Sequence, residues 1–365
     1  MFKYVLPASL LLSVSAFAQT QVVTSVKPVS MIVSAIGGEH IEVQQLVSNQ
    51  ASPHDFAMRP SDLRKLDQAD LVVWVGESLE TFMEKPLANL SAKKDLEWMA
   101  LNDAFLREFG DKEAHNHDEH HEGHDQDEHH EDHDHDEHHE DHDHDEHHED
   151  HDHDEHHEDH DHDEHHEDHD QDEHHEDHDQ DEHHEEHGHE GHDHSGTDPH
   201  VWLDPVNAKV LAKAVTEQLI SIDPEHKQDY QTNFQAFMSS VEHADHDVAE
   251  RLADVADVPY FVFHEAYGYF ENHYGLNNKG AIALSPERKP GAKTVAHIRE
   301  EIEEHNVSCV FSEPQFSPAI VETLIDGTDV KTAVLDPLGT NVELGANSYA
   351  MFLTGLADQY ISCLK

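Results

Sequence analysis

Eighty consecutive residues, 115–194, contain no apolar side chain and no Lys or Arg. They hold 33 of the 43 His and 40 of the 81 acidic residues. Such a segment has no nonpolar surface with which to offset the entropy of ordering it, so it reads as disordered and cannot form a layer of a core. The rest of the chain must fold around it. Setting aside the insert and an N-terminal 18 residues leaves 267 of 365, enough for two lobes of ordinary size. The formal charge of −60 divides into −40 in the insert and −20 elsewhere, which excludes nucleic acid as a partner and favours cationic ligands.

Within the insert a nine-residue unit, EHHEDHDHD, begins at Glu128 and recurs at Glu137, Glu146 and Glu155, with Gln replacing one His in later copies. A solenoid needs an apolar face on which to stack, and this repeat has none. Its composition is that of a metal-binding tract. Paired imidazoles such as His129 and His130, His138 and His139, His147 and His148, and His156 and His157 suit zinc, copper and nickel, with little selectivity among them. A purely solubilising acidic loop is the plainer alternative.

Lys3, the short apolar run LPASLLLSV and Ala16-Phe17-Ala18 have the form of a cleaved export signal over residues 1–18. The apolar run is too short to span a bilayer, and cleavage leaves Gln19 first with no lipid-anchor cysteine. Cys309 and Cys363 both lie in the exported part. An oxidising compartment makes one disulfide the default for such a pair.

Strand and helix signals alternate on both sides of the insert. QVVTSVKP, IEVQQLV, LVVWVG and residues 97–101 read as strands, with helices at MIVSAIGG, from PSDLRKLDQAD and over 79–90. After the insert come the two-proline loop DPHVWLDP and an amphipathic helix, NAKVLAKAVTEQLISI. Residues 223–256 contain no Gly and one Pro, which predicts a long, stiff helix between lobes. YFVFH, GAIAL, VSCVF and KTAVLD then alternate with helices over 291–305, 317–327 and the C-terminal segment. The expected fold is α/β: two βα lobes with parallel sheets, 19–114 with 195–222 and 257–365, joined by a rigid helix. No GxGxxG or GxxxxGK[ST] supports nucleotide binding.

Ligands of open parallel sheets bind beyond the carboxyl ends of the strands. His54 lies in the loop after IEVQQLV, His264 directly after YFVF, and Asp336 directly after KTAVL. His200 sits in the proline-bounded loop. Pro53 and Pro199 precede two of these His and restrict the backbone there. Three imidazoles and an oxygen ligand would make a tetrahedral zinc site in the cleft between lobes. Taken one at a time, a lone His in a βα loop is more often a surface or capping residue, so spacing suggests the three ligands without establishing them. His226, His243, His246, His297 and His305 read as solvated helix positions, and His40 and His273 as turn residues.

The stretches SPHDFAMRPSD, DPHVWLDP, YFVFHEAYGYF, SEPQFSP and LDPLGT, in this order around a long helix, resemble the zinc-specific periplasmic binding proteins of the ZnuA type, cluster A-I solute-binding proteins of ABC importers. The resemblance covers essentially all the mature chain. It implies that His54, His200 and His264 are zinc ligands and that Cys309 pairs with Cys363. It also implies a periplasmic, monomeric protein that delivers zinc to an inner-membrane permease and is not an enzyme. Some members place a glutamate directly before the first ligand His; Pro53 stands there in this chain. Asp336 matches the aspartate that completes the site in manganese-binding relatives, and is the candidate fourth ligand or supporting partner, with a water or a His of the insert as alternatives. Glu77 and Glu313 stay unassigned. In zinc members a His-rich loop of variable length occupies the position of the insert, implying a low-affinity collector or sensor. Rival readings are a nickel- or copper-buffering protein, motivated by the repeat, and a zinc-dependent enzyme with an open coordination position.

Overall fold

The structure, a computed structural model, describes residues 19–90, 95–110, 196–283 and 291–365. The expected export signal over 1–18 and the repeat over 115–194, with its eight paired His, lie outside the described residues.

The first lobe runs β1 (Thr20–Thr24), α1 (Lys27–Gly37), β2 (Ile41–Gln45), α2 (Pro60–Gln68), β3 (Leu71–Trp74), α3 (Thr81–Ala88) and β4 (Asp95–Glu97). Its four strands are parallel, in the order β2-β1-β3-β4. Two helices follow, α4 (Pro205–Ile222) and α5 (Lys227–Leu252). The second lobe runs β5 (Tyr260–His264), α6 (Gly268–Tyr274), β6 (Asn278–Ala283), α7 (Ala292–Glu304), β7 (Cys309–Ser312), α8 (Ala319–Ile325), β8 (Lys331–Val334) and α9 (Ser348–Leu364). It is again parallel, ordered β6-β5-β7-β8.

The period-two alternation of side chains divides each central strand between two layers. Val22 and Val73 face a shared inner core with α1, α4, α5 and α9, whereas Val23, Val72 and Trp74 face Leu66 and Met83 on the outer side. In the second lobe Tyr260, Val262 and Phe311 face inward, while Phe261, Phe263 and Val310 pack on Ile298, Ile302 and Leu324. Burial on both faces explains why β3 is an unbroken apolar run.

Several element bounds differ from the sequence reading. β1 ends at Thr24 and α1 starts at Lys27, because Pro28 fits the first helical turn, where its missing N–H is no loss. β4 lies at 95–97; the ladder nonetheless continues, with Trp98 N donating to Trp74 O at 2.9 Å and Met99 N to Val75 O at 2.9 Å. The connecting helix α5 has 26 residues, preceded by a separate 3-10 turn at Pro224–His226. His273 belongs to α6 rather than to a turn; its Nε2 meets Asp245 Oδ1 of α5 at 2.8 Å.

The connector does not act alone. α5 buries Tyr230, Phe237, Val241, Ala244, Val248 and Leu252 along one side and packs on α4, α1 and α9. α9 also touches α1, and Ser348 Oγ donates to Met31 O at 3.3 Å. Trp202 Nε1 donates to Pro337 O at 2.8 Å, and Tyr349 OH to Trp202 O at 2.7 Å. The lobes are therefore joined by a buried, hydrogen-bonded seam as well as by a helix. A disulfide between Cys309 of β7 and Cys363 of α9, with Cα atoms 6.0 Å apart, fastens the last helix to the second sheet.

Candidate metal centre

Each candidate histidine is placed by a different local device. His264 is the last residue of β5. The parallel neighbour β7 ends at Ser312, so Glu313 emerges beside it, and Glu313 Oε1 meets His264 Nδ1 at 2.6 Å. His200 follows Asp198 and Pro199; Asp198 Oδ1 accepts from His200 N at 3.0 Å and meets His200 Nδ1 at 2.7 Å. A 3-10 turn, Val201–Leu203, leads from His200 into α4, whose N-cap Asp204 accepts from Val206 N at 2.7 Å. His54 comes from the loop between β2 and α2, where its backbone N donates to Ser52 Oγ at 3.3 Å.

The three rings converge. Centroid separations are 5.3 Å for His54–His200, 5.3 Å for His200–His264 and 6.0 Å for His54–His264. One nitrogen of each lies within 4.8 Å of the others, the one such grouping of His, Cys, Asp or Glu among the described residues. His200 and His264 are buried and His54 is half-buried. A carboxylate on Nδ1 requires that nitrogen to carry the proton, which makes Nε2 the lone-pair nitrogen suited to coordination on His200 and His264. Burial, reinforced by the neighbouring His200 and His264, holds His54 well below the usual histidine range, so it stays neutral and able to coordinate. The enclosed space is about 20 Å³, also bounded by Trp202, Phe316 and Leu338. That is room for an ion or a water and far below the ~300 Å³ or more of a typical organic-ligand pocket.

Asp336 is not brought into the cluster. It is buried, but Oδ2 accepts from Thr340 N at 2.7 Å and from Thr340 Oγ1, while Oδ1 accepts from Leu338 N at 3.2 Å. Both oxygens hold the turn that follows it; the link toward the cavity runs only through Gln315 Nε2, 3.5 Å from Oδ1. Glu313, left unassigned in the sequence reading, supports His264 instead. Asp198 supports His200 in the same way, and its place two residues before that His, across a proline, is the sequence signal for it. Glu77 is not among the clustered groups.

The family model for the periplasmic zinc-uptake complex component ZnuA matches residues 22–363. The chain belongs to the ZnuA family. It is 44% identical over 354 residues to the high-affinity zinc uptake system protein ZnuA of Haemophilus influenzae, covering 97% of this chain and 96% of that protein. The protein of the same name from Yersinia pestis is 34% identical over 365 residues, covering 100% and 98%. Among solved structures, a crystal structure of ZnuA superposes with a TM-score of 0.65 at 19% identity, covering 95% of this chain and 100% of that one. A 138–173 deletion mutant of ZnuA with zinc bound gives 0.64 at 18% identity, covering 95% and 99%. These structures share the two-lobed parallel-sheet fold. The family is a solute-binding transport component.

Proposed function

We infer that this chain is the zinc-binding component of a high-affinity zinc ABC importer, and that His54, His200 and His264 hold the transported ion between the lobes. The observation that carries this reading is the convergence of three imidazole nitrogens within 4.8 Å of one another. Three neutral nitrogen donors favour zinc over magnesium, calcium and manganese, which prefer oxygen. Glu313 and Asp198 fix two of the rings in the coordinating tautomer, so little orientational freedom is lost on capture. A water is the candidate for the fourth position; Glu313, committed to His264 Nδ1, and Asp336, committed to its own turn, are weaker ones.

The chain is exported by residues 1–18, works in the periplasm as a monomer and hands zinc to an inner-membrane permease. Residues 115–194 form an accessory, low-affinity collector attached to the first lobe. Hinge motion on release is small, because a packed α5 and a hydrogen-bonded seam join the lobes. The reading as an enzyme finds no support in a cavity with space for little beyond the ion. Buffering of nickel or copper rests on the insert's composition alone.

The test is growth of cells lacking this chain in zinc-depleted medium. Rescue by the intact gene and by added zinc, with none by His264→Ala, is the expected result. Rescue by His264→Ala, or a nickel or copper defect with normal zinc uptake, would overturn the reading.

A further inference from the structure

The residues just before the insert pair with those just after it in a short ladder. Asp198 N donates to Arg107 O at 2.9 Å, Phe109 N donates to Gly196 O at 3.2 Å, and Glu108 pairs with Thr197 in an antiparallel bridge. Inside this short ladder lies a buried cation. Arg107 is 5% exposed, and its Nη1 donates to Asp198 Oδ2 at 2.6 Å. The other oxygen of Asp198 is the one that holds both the backbone N and the Nδ1 of His200.

The second lobe closes over the same group. Arg107 N donates to Tyr269 OH at 3.1 Å, and Tyr269 OH donates to Asp198 O at 2.9 Å. The guanidinium lies 5.7 Å from the centroid of the Tyr269 ring. Gly110 N donates to Glu265 Oε1 at 3.2 Å. At Gly268 the α6 backbone comes so close that an added Cβ would fall 1.8 Å from Arg107 Nη1. Glu265, Gly268 and Tyr269 all belong to the segment that directly follows His264.

We propose that Arg107 is a positioning residue for the metal centre. It holds the Asp198 carboxylate in the orientation that aims His200, and it fastens this first-lobe ligand to the second-lobe segment that follows His264. The proposal rests on the zinc reading given above. A buried ion pair adds little stability that well-packed apolar side chains could not supply. Here the anion's second oxygen is committed to a ligand ring, so the pair has a geometric task. Without the cation, Asp198 would be a buried charge free to turn away from His200, and the ring would lose its fixed tautomer and direction.

Cobalt(II) absorption and zinc competition against a chelator, both on the full chain, test this. Tetrahedral cobalt absorbs far more strongly in the visible range than six-coordinate cobalt, so the spectrum reads the three-His site despite the His of the insert. Arg107→Gln is expected to change the cobalt band and weaken zinc binding by about 10- to 100-fold, the usual cost of losing an outer partner of a ligand. Arg107→Lys, which keeps the cation, should recover most of the loss. Gly268→Ala, which keeps the arginine but displaces it, should shift the band in the same direction; these two variants decide the matter if Arg107→Gln does not fold. Adding Asp198→Asn to Arg107→Gln should cost little more than the worse single change, because both act through His200. A lower melting temperature with unchanged cobalt spectrum and zinc affinity would overturn the proposal and leave Arg107 a structural ion pair. Absence of a tetrahedral band in the unmodified chain, or its survival in His264→Ala, would instead overturn the zinc reading beneath it.

Discussion

The two sheets share strand order and direction, yet they contribute to the three-His cluster in different ways. In each, the first strand is five residues long and lies inside the sheet. β5 ends in His264, with its supporting Glu313 just beyond the end of the adjacent strand. β1 ends instead at Thr24, whose hydroxyl meets Ser30 Oγ at 2.7 Å. The first lobe supplies its candidate ligands from connections: His54 from the stretch between β2 and α2, and His200 from the turn before α4. Among the described residues no carboxylate partners the His54 ring, and it is the most exposed of the three. A common topology therefore determines where strand ends converge but not what they carry. The second lobe presents a candidate ligand held by a carboxylate, and His54 is a candidate without one.

The largest expected effect tests the second lobe's own rigidity. Cys363→Ser should lower stability by about 4 kcal/mol in denaturant unfolding, from loss of a cross-link spanning 54 residues in the chain-entropy model. Folded variant should keep zinc affinity within about tenfold of the parent, because the disulfide lies away from the three His. His264→Ala should then cost more than about 100-fold in zinc affinity, beyond what loss of an outer partner costs, and more than His54→Ala. Equal losses would break the distinction between a His held by a carboxylate and one without. Glu313→Gln should weaken binding by roughly tenfold, read as faster release, since the amide can still orient His264 without the charge.

The smallest expected effect concerns protons on His54, which is depressed below its usual 6.5 by burial and by His200 and His264. A ring kept neutral by the fold contributes stability above that value, and the contribution is lost as pH falls through the depressed one. Metal-free protein should therefore lose stability on acidification from about pH 7 to about pH 5, and His54→Gln should lose less. Equal slopes in thermal melts would show that His54 is not the group concerned.

Central strands were legible because burial on both faces leaves an apolar run, as in LVVW of β3 and YFVF of β5. Edges were less so: in β4 a single buried Leu96 lies between Asp95 and Glu97, too faint an alternation to set a boundary. The three His were legible because each follows a strand or a proline turn. Asp336 satisfies the same rule, and the rule fails there because it gives a position and not a direction; the amides at 338 and 340 capture the carboxylate first. Arg107 has no local signature at all. Its role comes from contacts with Asp198, Gly268 and Tyr269, up to 162 residues away in the chain.

The most direct measurement is a competitive zinc titration of the mature chain, of a version lacking 115–194, and of His264→Ala. One tight site that survives removal of the insert and vanishes in His264→Ala is the expected result. Loss of all tight binding together with the insert, or its persistence in His264→Ala, would contradict zinc capture by His54, His200 and His264.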